Sequence, residues 1–165
     1  MRRLIRWVLF DGGKPIYKHG RHLLRHKWYV FLECVRLGIP LQGILHDLSK
    51  LTPAEFLPYT EHFYAGEKPP SEMSPEMKVA WLHHIHCNPH HWDAWLLPKE
   101  DGYDVLEMPL RYRKEMLADW FGFDRAIGGS GDIREFYRRT MEKRVLGLET
   151  QRWVEDQISM RCGPL

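Results

Sequence analysis

The sequence predicts an all-α, single compact domain of about seven or eight helices. Three observations lead there. Apolar residues recur at helical spacing, turn signals built on Pro, Gly and Asn separate the periodic stretches, and no stretch shows convincing two-residue alternation. The 165 residues make one domain, with 44% hydrophobic and 13% aromatic residues to fill a core. Residues 1–13 read as an N-terminal extension, 128–131 as a flexible Gly-rich connector and 132–165 as C-terminal helices.

The first helix is predicted over Pro15–Leu37, where Leu23, Leu24, Tyr29, Val30, Phe31, Cys34 and Val35 keep helical spacing until Gly38 and Pro40 stop it. A short helix follows over Leu41–Leu48. Thr52, Pro53 and Glu55 form a helix start with a capping box, and that helix should reach about Tyr64. Gly66–Ser71 is a loop. Ser74 and Pro75 open the next helix, which runs to Cys87. Asn88 and Pro89 then end it and start another carrying His90, His91, Trp92 and Trp95. Pro98–Met108 reads as a long loop. Pro109 opens a helix from Leu110 to about Ile127, Asp132 caps a further one, and the last spans Thr150–Met160.

Composition narrows the function. Lys plus Arg total 24 and Asp plus Glu 22, a net charge of +2, which argues against a basic nucleic-acid tether. Arg111, Arg113, Arg138, Arg139, Lys143 and Arg144 are interleaved with acids and read as a solvated helix face. No apolar run reaches the ~20 residues of a membrane span. The basic, apolar stretch Met1–Phe10 is broken by Arg6 and lacks a small-residue cleavage site, so a signal peptide is not expected. The C-terminal Cys162-Gly163-Pro164-Leu165 lacks the aliphatic residues of a prenylation signal. Cys34, Cys87 and Cys162 form no CxxC, so the expectation is a reduced, cytoplasmic protein.

The unusual number is ten histidines. His19, His22 and His26 lie at i, i+3 and i+7 on one helical face, a stripe that would otherwise be half exposed. His46 and Asp47 close a short apolar helix, where adjacent side chains diverge by about 100° yet can reach one ion. Their nitrogen and oxygen donors suit Mg, Mn, Fe, Ni or Zn. In WLHHIHCNPHHW, His83, His84, His86, His90 and His91 fill five of nine positions. His90 and His91 are expected in the first turn of a helix, whose dipole favours the neutral, metal-binding imidazole. Singly each histidine reads as an ordinary surface or core residue; together they favour metal or phosphate binding. Downstream, Glu115 and Asp119 lie at i and i+4, and Asp119, flanked by Leu117, Ala118, Trp120 and Phe121, should face inward and need a partner. The aromatics Trp92, Trp95, Trp120 and Phe121 read as core.

This order of His26, His46-Asp47 and Asp119 resembles the HD-domain superfamily of metal-dependent phosphohydrolases, and most closely a group of short bacterial and phage HD-like proteins. The segments that carry the resemblance are RHKWYVFLE, HDLSKLTPAEFLPY, NPHHW and EMLADW, spread over most of the chain. The resemblance implies an HD-like helical bundle with His26, His46, Asp47 and Asp119 as metal ligands. It implies one or two divalent ions (Mn, Mg, Fe, Co, Ni or Zn), with His84, His86, His90 and His91 as candidate ligands of a second. His-Asp-Leu-Ser-Lys is similar to the His-Asp-x-Gly-Lys element of the cyclic-dinucleotide phosphodiesterases, so Lys50 would contact a phosphate oxygen. The Gly-Tyr-Pro element of that branch is missing, which argues against cyclic dinucleotides. The Glu that nucleotidase branches place after His-Asp is also missing.

The implied activity is hydrolysis of a phosphoester or phosphoanhydride, with Asp47, Lys50, His90 and His91 as catalytic residues and a small phosphorylated substrate such as a nucleotide as partner. Neither a membrane nor nucleic acid is expected as a partner. Two other readings stand beside it: a di-iron oxygenase of HD type, and a non-catalytic, metal-stapled domain that binds a ligand or partner.

Overall fold

A computed structural model describes residues 13–66 and 71–165. The expectations for the N-terminal stretch and for most of the Gly66–Ser71 loop lie outside these residues. Among the described residues are seven α-helices: α1 (Lys14–Arg36), α2 (Pro40–Leu45), α3 (Pro53–Tyr64), α4 (Pro75–Cys87), α5 (Leu110–Ala126), α6 (Arg134–Met141) and α7 (Leu148–Cys162). The mostly helical class is therefore as the sequence predicts. Among them, no helix is long and apolar enough to cross a membrane.

The chain divides into two compact units. One holds the described residues of Met1–Arg25 with Asp47–Cys87; the other holds His26–His46 and Asn88–Leu165.

In the first unit α3 packs on α4 around Tyr59, Met77 and Ala80, with Trp81 at the edge. Ser74 caps α4, its hydroxyl accepting the Met77 amide N–H at 3.2 Å. The capping box expected at Thr52 does not form. The Thr52 hydroxyl donates instead to the Ser49 carbonyl at 2.7 Å, and Glu55 turns into the interior. His19 is buried rather than half exposed: its Nδ1 lies 2.7 Å from the Thr60 hydroxyl and its ring stacks on Phe56 and Tyr64.

In the second unit the largest core cluster joins α5, α6 and α7 through Leu117, Trp120, Phe121, Ile133, Tyr137, Val154 and Ile158, with Trp92 and Trp95 packed on it. The aromatics are thus core, as expected. The second half of α1 meets α5 at Val30, Cys34 and Ala118. Gly122 makes that approach close, since a Cβ there would sit 2.5 Å from Val30 Cγ2 and 2.8 Å from its backbone nitrogen. Gly43 does the same for α2, where a Cβ would sit 2.8 Å from Cys34 Cβ. Fully buried Glu33 gathers Arg36, Arg161 at 2.6 Å and Arg125 at 3.5 Å, tying α1, α5 and α7 together. The basic residues of α6 are solvated as expected: Arg138 and Arg139 both pair with Glu135.

Three local expectations are corrected. Helix α2 stops at Leu45, so His46 and Asp47 lie in a turn before a 3₁₀ segment, Leu48–Leu51. The Pro98–Met108 region is not all loop: β1 (Leu96–Lys99) and β2 (Gly102–Val105) form an antiparallel hairpin that turns through Glu100 and Asp101. Its strands are largely exposed and lack apolar alternation, which hides them in the sequence. His90 and His91 are not helical; only a 3₁₀ turn follows, over Trp92–Trp95. The Pro89 carbonyl accepts the Trp95 indole N–H at 2.7 Å, which diverts it from a helical ladder.

Candidate metal centre

The second unit brings together His26, His46, His90, Glu115 and Asp119. Helix α1 supplies His26 and α5 supplies Glu115 and Asp119 one turn apart. The Val30–Gly122 approach sets their spacing, because Val30 lies four residues beyond His26 and Gly122 three beyond Asp119. His46 follows α2, and Lys27 fixes its backbone by donating to the Ile44 and His46 carbonyls, each at 2.7 Å. All three histidines are buried.

The distances define how each ring is used. His26 Nε2 lies 3.0 Å and His46 Nε2 3.5 Å from the same oxygen, Asp119 Oδ1. Glu115 Oε1 stands 3.2 Å from His46 Nδ1 and 3.3 Å from His90 Nδ1. A carboxylate only accepts, so both Nδ1 atoms donate to Glu115, which leaves Nε2 of each ring as the nitrogen a cation could take. This is the arrangement in which an outer carboxylate orients a ligand imidazole. His46, His90 and Asp119 each offer a donor atom, and these atoms lie within 4.8 Å of one another.

Electrostatics agree with that use. Burial pushes the Asp119 carboxyl up, but hydrogen bonds and charge from His26 and His46 outweigh it and hold the group well below the usual carboxylate range. Burial likewise opposes ionisation of Glu115, and hydrogen bonds from His46 and His90 win. The cluster therefore carries two ionised carboxylates among imidazoles at neutral pH, a nitrogen and oxygen donor set that fits a divalent cation. Ligand atoms about 2.0–2.2 Å from one ion stand roughly 3 Å apart at octahedral angles and roughly 3.4 Å apart at tetrahedral ones, and the His26 and His46 separations from Asp119, 3.0 and 3.5 Å, fall at these values.

The first unit holds the other predicted residues. Asp47 sits in left-handed backbone at φ 52°, the only non-glycine residue with positive φ among those described. Asp tolerates that region better than most residues, and strain of this kind collects at functional sites. Lys50 Nζ lies 2.6 Å from Asp47 Oδ2, and His84 Nε2 lies 3.5 Å from Asp47 Oδ1. The other His84 nitrogen, Nδ1, donates to Glu55 Oε2 at 2.9 Å. Lys50 also lies over the Tyr59 ring, 5.7 Å from its centre. Burial, then the charges of Glu55 and Asp47, push the Tyr59 phenol up.

The remaining predicted residues separate. The His91 ring lies tilted against that of His90 with ring centres 4.3 Å apart, while His86 is exposed on α4. Two residues enter that sequence reasoning did not place in a site. Glu115 was visible only as the i, i+4 neighbour of Asp119; nothing local announces that it faces two imidazoles. Glu55 reads as a capping acid and is instead a buried acceptor for His83 and His84.

The chain matches the family of unknown function DUF5662 over residues 15–160, nearly its full length, and it belongs to that family. No curated protein and no solved structure matches it.

Proposed function

We propose that this protein is a divalent-metal-dependent phosphohydrolase of HD type, acting on a phosphoester or phosphoanhydride of a small molecule such as a nucleotide. One observation carries the reading: Glu115 accepts from His46 and His90, while His26 and His46 each turn Nε2 to one oxygen of Asp119. The ligands in the second unit are His26, His46 and Asp119. The HD resemblance implies a fourth, Asp47, the residue that follows His46 in the sequence. His90 is a further imidazole, its donor atom within 4.8 Å of those of His46 and Asp119.

A bound divalent cation supplies Lewis acidity and lowers the pKa of water from ~15.7 toward ~7. This chain's residues do the rest. Asp119 brings negative charge that holds the cation. Lys50, paired with Asp47, offsets charge on the phosphoryl oxygens. His91, whose ring lies tilted against that of His90, is the group assigned here to protonate the leaving oxygen.

The experiment loads Mn, Mg, Co, Ni or Fe and screens nucleoside mono-, di- and triphosphates for phosphate release. The proposal expects release above that of the His46→Ala, Asp47→Ala double variant; equal release from both rejects it. Three imidazoles and two carboxylates also form a donor set that iron accepts. Two irons per chain with a visible or EPR signal, and no phosphate release, would instead support the oxygenase reading. Metal-dependent stability without any turnover would support the non-catalytic one.

A further inference from the structure

A second group of donors lies in the first unit and shares none with the cluster around Asp119. Cys87 and His83 occupy i+4 and i on α4, so their side chains share one face. Glu55 reaches them from α3, which packs on α4. A carboxylate oxygen, an imidazole nitrogen and the thiol sulfur lie within 4.8 Å of one another. Cys87 Sγ stands 3.9 Å and Glu55 Oε1 2.6 Å from one and the same nitrogen, His83 Nδ1. Two ligands at about 2.3 and 2.0–2.1 Å from a tetrahedral zinc lie roughly 3.6 Å apart, close to the sulfur–nitrogen distance.

We propose that Glu55, His83 and Cys87 form a second site, selective for a borderline-soft divalent cation of the zinc type. The donors set the selectivity. A thiolate disfavours Mg and Mn and favours Zn, with Co as its spectroscopic stand-in. Access is also suited to loading, since Glu55 is fully buried while His83 and Cys87 are exposed at the surface. Three protein ligands leave the fourth position open to water or a ligand. The buried carboxylate has a further consequence. Its Oε2 accepts from His84, whose other nitrogen faces Asp47, so Glu55 connects the thiolate site to Asp47 through one imidazole.

The test is a cobalt(II) titration of the full chain under a non-thiol reductant, followed by absorption spectroscopy and metal analysis. The parent protein and the His46→Ala, Asp119→Ala double variant are expected to develop a thiolate-to-cobalt charge-transfer band in the near ultraviolet. Cys87→Ser is expected to lose that band together with one bound equivalent, and His83→Ala to lose the same equivalent. Both substitutions are at exposed positions, and far-ultraviolet circular dichroism checks that the helices persist. No such band in the parent, or an unchanged band in Cys87→Ser, overturns the proposal. Because the double variant leaves Glu55, His83 and Cys87 intact, failure here is distinct from failure of the hydrolase reading.

Discussion

At Glu115 a single carboxylate oxygen accepts from His46 and His90, and that fixes which nitrogen each ring presents. Glu115→Gln removes the ionised acceptor without removing a proposed ligand. Outer-shell changes of this kind cost about 10–100-fold in metal affinity, so competition against a chromogenic chelator should show a loss of that size with the helical signal unchanged. His19 makes a separate prediction. Burial, then the charges of Lys50 and His22, push its imidazole down to about 4, against the Phe56 backbone hydrogen bond. A depressed histidine is folded in its neutral form, so stability is full above the ordinary value near 6.5 and falls as pH drops toward 4. His19→Asn should flatten urea midpoints between those pH values; a parent-like slope in the variant would contradict this. The sequence made His26, His46 and Asp119 legible because residue type and order suffice to suggest them. The same reading set Glu115 beside Asp119 but could not see its partners, which lie 69 and 25 residues away along the chain.

Helix contacts set the spacing of those side chains. At Gly122 a Cβ would meet the Val30 side chain and backbone at once, so Gly122→Ala must push α5 away from α1. Overpacking of this kind costs typically 1–3 kcal/mol. The shift also separates His26 from Asp119, so thermal melts should show lower stability and chelator competition weaker metal binding in the same variant. Helix α7 carries another testable contact. Glu107 accepts the Glu149 and Thr150 backbone N–H groups at 3.0 and 2.9 Å, filling the orphan donors of its first turn. Burial pushes the Glu107 carboxyl up, but the Thr150 hydroxyl, these amides and Arg113 hold it below the usual range. Its contribution is therefore present above about pH 4.5 and lost as pH falls through the lower folded value. Glu107→Gln should lower the urea midpoint at pH 7 and lessen its further fall on acidification. Helix starts were legible at Pro53, Pro75 and Pro109. The β1–β2 hairpin and the His90 turn were not, since exposed four-residue strands carry no periodicity and the Trp95 indole takes the carbonyl a helix at Pro89 would use.

For the molecule as a whole, a cation held by this cluster would be linked to folding. A ligand at 100 times its dissociation constant adds about 2.7 kcal/mol, and a chain of this length gains about 2–4 °C in Tm per kcal/mol. Stripping with chelator should lower Tm by roughly 5–10 °C on that basis, and the His46→Ala, Asp119→Ala variant should show no such response once Cys87 is also replaced. The helical class was legible from periodicity and punctuation along the whole chain. The division into two compact units was not, because its boundaries at Arg25–His26 and His46–Asp47 fall where no linker composition marks them. The most direct measurement is native metal content, by elemental analysis, of the Cys87→Ser protein with and without His46→Ala and Asp119→Ala. Near-stoichiometric divalent metal in the first and its loss in the second is the predicted result. Equal content in the two, or none in the first after loading, would contradict the claim that these imidazoles and this carboxylate hold a cation.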